Sequence, residues 1–162
     1  VEYVLVTKKG KVHETVFTTN ASAEDVHIAA LLLGIKPEPN LNKVPVTKRS
    51  AGEGFIALWA EWDQNGPSAK VSLIKTVGIK NPGSDLEKGT LVSGYWHYNG
   101  SVGPSGEEFS AKRSGSLISI IRDPNALINY PGKSRDNDEI HIPNAGRLPK
   151  IGHPVRIVFG LR

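Results

Sequence analysis

The stretch Lys11-Val-His-Glu-Thr-Val-Phe17, followed at once by Ser22-Ala-Glu-Asp-Val-His-Ile-Ala-Ala-Leu-Leu-Leu33-Gly34, decides how this chain is read. Its first half alternates with the period of a strand. Upstream, Tyr3 to Thr7 is rich in β-branched and aromatic residues, and Lys8-Lys-Gly-Lys11 offers a tight turn. The two strands are therefore expected to form a hairpin with Lys9-Gly10 as its loop. In that register Val6 faces His13 and Leu5 faces Glu14, so alternation sends His13 and Glu14 to opposite sides of one sheet.

The second half carries helix signals at both ends. Ser22 with Asp25 three residues later approximates a capping box, with Asn20 as a rival cap, and Gly34 supplies a left-handed stop. The spacing predicts a helix over about 23–33. Val26, Ala29, Ala30 and Leu33 form its inner stripe, and Ile28, Leu31 and Leu32 widen the apolar surface. Its second half is expected to be nearly enveloped, with the helix plugging the core.

Further along, Ile35 to Lys48 contains Pro37, Pro39 and Pro45 and is expected to be extended and superficial. Phe55 to Trp62 fits a helical stripe through Phe55, Leu58, Trp59 and Trp62. The Asn65-Gly66 turn ahead of Val71 to Lys75 and the aromatic content favour two strands instead. Strands are also expected at Val92 to Tyr98, Leu117 to Ile121, Ala126 to Asn129, Glu139 to Ile142 and Pro154 to Phe159, with Pro- and Gly-containing turns between them. The fold class that follows is α+β and mostly β: an antiparallel sandwich or partly closed barrel with one main helix packed on the sheet, in a single domain over 1–162.

Composition narrows the function classes. The 162 residues include no cysteine, which excludes disulfides and a Cys-held iron–sulfur cluster on this chain, and no cofactor is expected. There is no methionine either, so Val1 is expected to follow a removed segment, a signal peptide being one form of it. No run approaches the about 18 apolar residues of a membrane span. The 20 Lys+Arg against 16 Asp+Glu are scattered rather than clustered, for instance at Lys43, Lys48 and Arg49. With no recognised motif beside them, they read as a solvated face and not as a nucleic-acid surface.

Few motifs carry chemistry. His13-Glu14 resembles the start of H-E-x-x-H, but position 17 is Phe. A looser site built from His13, Glu14 and His27 would suit a divalent first-row metal, while hydrogen bonding between helix and sheet is the plainer use of the same groups. Trp96 and Tyr98 share one face of a strand and could line a groove for a sugar or peptide, or serve the core. Gly52-Glu-Gly54-Phe-Ile-Ala57 matches a dinucleotide pattern by chance, since a strand rather than a helix is expected after it. His141 and His153 lack acidic companions at ligand spacing and receive no role.

With Gly10-Lys-Val-His-Glu-Thr15, Ala23 to Gly34, Glu61-Trp62, Trp96-His-Tyr-Asn-Gly-Ser101, Gly115-Ser-Leu-Ile118, Asp123-Pro-Asn-Ala-Leu-Ile128 and Leu148-Pro-Lys-Ile-Gly-His-Pro-Val155, the chain resembles the YdjY-type domain along nearly its whole length. That family comprises poorly characterised bacterial proteins, many of them exported or lipid-anchored. The resemblance implies an extracytoplasmic domain, periplasmic or anchored through a segment ahead of Val1, and supplies no catalytic residue. Some members carry a ferredoxin-like label, which the absence of cysteine opposes here. The expectation is a non-enzymatic binding or accessory module of the cell envelope, its partner unknown and sought among envelope proteins, peptides and glycans. His13, Glu14, His27, Trp96 and Tyr98 are the candidate ligand-binding residues. The alternative is a metal-binding protein or metal-dependent enzyme using the His/Glu group.

Overall fold

Tyr3 to Val6 are all buried, although successive strand residues point to opposite faces, so the first strand is covered on both sides. The computed structural model describes residues 1–42, 54–64, 66–80, 94–101 and 109–161. Its strands are β1 (Tyr3–Thr7), β2 (Thr15–Thr19), β3 (Phe55–Gln64), β4 (Gly66–Ser72), β5 (Val77–Ile79), β6 (Trp96–Tyr98), β7 (Ser116–Ser119), β8 (Ile128–Asn129), β9 (His141–Pro143) and β10 (Arg156–Gly160). The helices are α1 (Ala23–Leu32) and the short α2 (Ser110–Ser114). The main sheet runs β10-β3-β6-β8-β7-β1-β2, with β4 also on β3, and curls into a half-barrel. β5 and β9 form a separate pair.

A mostly β, partly closed barrel with one main helix is thus the architecture, but its pairing is mixed. β1–β2 and β7–β8 are parallel, and the other pairs are antiparallel. The expected hairpin is therefore replaced by a parallel pair in which Tyr3 lies opposite Thr15 and Leu5 opposite Phe17. Parallel neighbours usually need a crossover of about a dozen residues. Here residues 8–14 suffice, because Val12–Glu14 tighten into a 3₁₀ turn that carries the chain back beside the start of β1. Glu2 N–H donates to Glu14 O at 2.9 Å, and Lys11 Nζ bridges the Glu2 and Glu14 carboxylates at 2.7 and 3.1 Å.

A glycine contact holds the turn at the other end. Thr7 N–H donates to Gly115 O at 2.8 Å, and a Cβ on Gly115, whose φ is +71°, would lie 2.6 Å from Gly10 N. No bulkier residue fits without a shift where Gly10 meets Gly115. His13 and Glu14 accordingly sit in a turn and do not alternate across a sheet.

α1 begins and ends where its signals place it. Ser22 Oγ accepts from Asp25 N–H at 3.0 Å, which makes Ser22 the cap rather than Asn20. Gly34 N–H donates to Leu31 O and Ile35 N–H to Ala30 O, a Schellman closure with Gly34 at φ +80°. The expected envelopment is corrected, however. Ala23 and Ala30 are buried, while Ile28, Leu31, Leu32 and Leu33 are exposed, Leu32 at 84%. The closure explains this: it turns the chain so that Ile35, 1% exposed, takes the core position the pattern assigned to Leu33. The following segment is superficial over 36–42 as expected, and Glu38 N–H ties it to Tyr98 O at 3.0 Å; 43–48 lie outside the described residues.

β3 and β4 form the expected hairpin, with Trp62 opposite Ala69. Residue 65 of its turn lies outside the described residues, as do Gly52 and Glu53, Lys43, Lys48 and Arg49, and the start of the strand expected from Val92. β4 ends at Ser72, and Leu73–Thr76 form a 3₁₀ turn where the strand was expected to continue. The core joins Ile56, Leu58, Leu73, Trp96, Leu117, Ile118, Leu127, Ile128 and Tyr130 across the concave side.

Candidate functional site

The five candidate residues separate into three environments. His13 is mostly exposed and lies 3.6 Å from the Glu14 carboxylate. Hydrogen bonding from Lys11 holds the Glu14 carboxyl below its usual range, and hydrogen bonds to Glu2 first and then to Glu14 raise the Lys11 ammonium. His27, on α1, is paired elsewhere: its Nδ1 shares a hydrogen bond with the Tyr98 hydroxyl, and its ring lies 5.0 Å from that of Phe109. Burial lowers the His27 pKa and pushes that of Tyr98 up to about 12, so both partners are neutral at pH 7. The structure therefore does not unite His13, Glu14 and His27. Among the described residues, no group of three or more His, Asp or Glu side chains is arranged to hold a metal ion.

Trp96 and Tyr98 are fully buried, which corrects the reading of them as a groove surface. β6 lies inside the sheet between β3 and β8, and the Trp96 ring meets Tyr130 edge-on with centroids 5.8 Å apart. Asn99, Asp123 and Asn129 form a closed polar knot, with Ser101 bonded to the loop beside it. Asn129 Oδ1 accepts from Asp123 N–H at 2.8 Å, and its Nδ2 donates to Asn99 Oδ1 and Asp123 O, both at 2.9 Å. Asp123 Oδ2 accepts from Tyr3 O–H at 3.1 Å, and burial raises that phenol to about 12. Ser101 Oγ accepts from Ala111 N–H at 2.7 Å and donates to Asn125 O at 2.9 Å. With their polar atoms engaged in one another or in nearby backbone, these residues shape the loops around β6 and β8.

The open site lies elsewhere, at the seam of the half-barrel. A cleft of about 960 Å³ separates β2 from β10, near the upper end of the usual ligand-pocket range. One wall is the consecutive run Thr15 to Ala21, and the opposite wall holds alternate residues of β10, Ile157 and Phe159. The lip is the loop from Leu148 to Val155, and Val26 of α1 closes part of the cleft. Val12 and Ile151, 49% and 107% exposed, also line it, so apolar surface continues to the rim. Lys150 and His153 are its ionisable members.

None of the cleft residues was among the five candidates. The available signals were an uncharged run from Thr15 to Ala23 and a loop punctuated by Pro149, Gly152 and Pro154. Neither signals a site until the sheet curls.

A family model, the YdjY domain, matches residues 2–160. The chain belongs to the YdjY family. The match takes in both walls of the seam and the polar knot, so this YdjY domain includes the whole described half-barrel. No curated protein and no solved structure matches the chain.

Proposed function

We propose that this YdjY domain is a non-enzymatic binding module of the cell envelope, acting outside the cytoplasm, with the seam between β2 and β10 as its ligand site. The cleft carries the reading. It is large, it joins apolar walls to a backbone edge, and Lys150 and His153 at its lip add polar anchors. The extracytoplasmic placement rests on the export that is common among members of the family.

The test is a titration of ¹⁵N-labelled protein with a panel of envelope-type oligosaccharides and extended peptides, followed through backbone amides. Shifts confined to residues 15–21 and 148–159 are expected. Binding that maps elsewhere, or no response to the panel, overturns the site. Fractionation of cells expressing the full gene product checks the location, and recovery in the cytosol overturns it.

A further inference from the structure

We infer that the seam takes an extended acidic polypeptide segment, which adds to the sheet as a strand along the outer edge of β2. This deepens the reading of the seam as a ligand site and rests on it. The first observation is the form of the wall. A strand turns alternate side chains to opposite faces, so a space lined by every residue from Thr15 to Ala21 takes in the strand's edge as well as the face beside Leu5 of β1. Backbone N–H and C=O groups point along that edge.

β2 is also the terminal strand of the sheet, with β1 on one side and no strand on the other among the described residues. Thr15 O–H donates to Phe17 O at 2.9 Å, and among the described residues this is the one hydrogen bond to the β2 backbone outside its pairing with β1. Terminal strands are usually blunted by charge, proline or a bulge. Thr15-Val-Phe-Thr-Thr19 contains no charge and no proline, and its register with β1 is continuous from Leu5–Phe17 to Thr7–Thr19. An incoming strand would meet Ile157 and Phe159 with the side chains of one face, the arrangement by which strand addition gains specificity. A small ligand would leave most of the five-residue edge uncovered.

Charge selects the ligand's character. The lining holds one formally charged side chain, Lys150, and no carboxylate. Arg147 flanks the same loop, and neither cation has an ion pair among the described residues. A carboxylate on the incoming segment complements this lip.

The test uses the full chain and a fluorescein-labelled peptide of alternating valine and threonine with a central glutamate. Its companions are a lysine-centred version, a version N-methylated at alternate amides, and neutral cello- and chito-oligosaccharides. Saturable binding of the acidic peptide with amide shifts at 15–21 is expected, and N-methylation weakens it at least ~10-fold. Lys150→Glu weakens the acidic peptide roughly 2- to 5-fold and tightens the lysine-centred one. Equal binding of the methylated peptide overturns strand pairing, and indifference to Lys150→Glu overturns the acidic preference. If oligosaccharides alone shift residues 15–21, the peptide inference falls while the seam remains a ligand site. If no probe shifts them, both fall.

Discussion

The polar knot around Asn129 and the seam beside β2 lie on the same sheet and use their hydrogen-bonding groups in opposite ways. In the knot, Asn99, Asp123 and Asn129 bond to one another, and Ser101 beside them bonds to Ser110 and nearby backbone. At the seam, the edge of β2 faces a cleft. Buried polar groups are costly unless bonded, so a closed network rigidifies what surrounds it. An open edge keeps its hydrogen-bonding capacity for an incoming group. The motif richest in aromatic and polar residues is thus architecture, and the plainer Thr15 to Ala21 run is the surface.

The largest effect is expected from breaking the knot. Asn129→Ala strands the Asp123 amide, Asn99 Oδ1 and Asp123 O in the interior, which should cost about 3–5 kcal/mol in urea denaturation. A loss under about 1 kcal/mol would mean that the knot does not hold the fold. The two regions can next be compared directly, because the chain has no cysteine of its own. Thr18→Cys, on the exposed part of β2, should react with a thiol reagent at least ~100-fold faster than Ser101→Cys, which must wait for local opening. Similar rates would erase the distinction between closed and open.

Acid should act on the closed parts of the molecule. Burial pushes the His141 imidazole down from its ordinary 6.5 to about 4. Between those values the unfolded chain binds a proton that the folded chain refuses. Stability is therefore complete above pH 6.5, falls as pH drops toward 4, and loses roughly 2–3 kcal/mol across the window. His27, lowered by burial, adds a loss of the same sign. Denaturation midpoints of His141→Gln should be flatter over that window, and an unchanged slope would clear His141 of the effect. The smallest response is expected from Leu32→Ala on the outer face of α1, within about 0.5 kcal/mol by thermal unfolding. A loss above about 2 kcal/mol would place Leu32 in a packed interface.

Local chemistry was legible in the sequence wherever a few adjacent residues decide it. Ser22 and Gly34 mark the ends of α1 because caps and left-handed stops satisfy backbone groups within one turn. The aromatic run from Phe55 pairs as a hairpin with the strand that starts at Gly66 for a similar reason, and the absence of cysteine settles disulfides by composition alone. The mostly β class with one main helix followed from such signals.

Tertiary structure decided what depends on distant neighbours. Alternation from Lys11 to Phe17 is equally compatible with either direction of pairing, and it is the 3₁₀ turn at Val12–Glu14 that carries the chain back to pair in parallel. Periodicity identified apolar positions on α1 but not which would be covered, since the turn at Gly34 hands the core position to Ile35. Trp96 and Tyr98 were recognisable as contact-forming rings, and their place inside the sheet made that contact internal. The seam is the least legible feature: it arises because curling brings two sheet edges, more than a hundred residues apart in sequence, to face each other without joining.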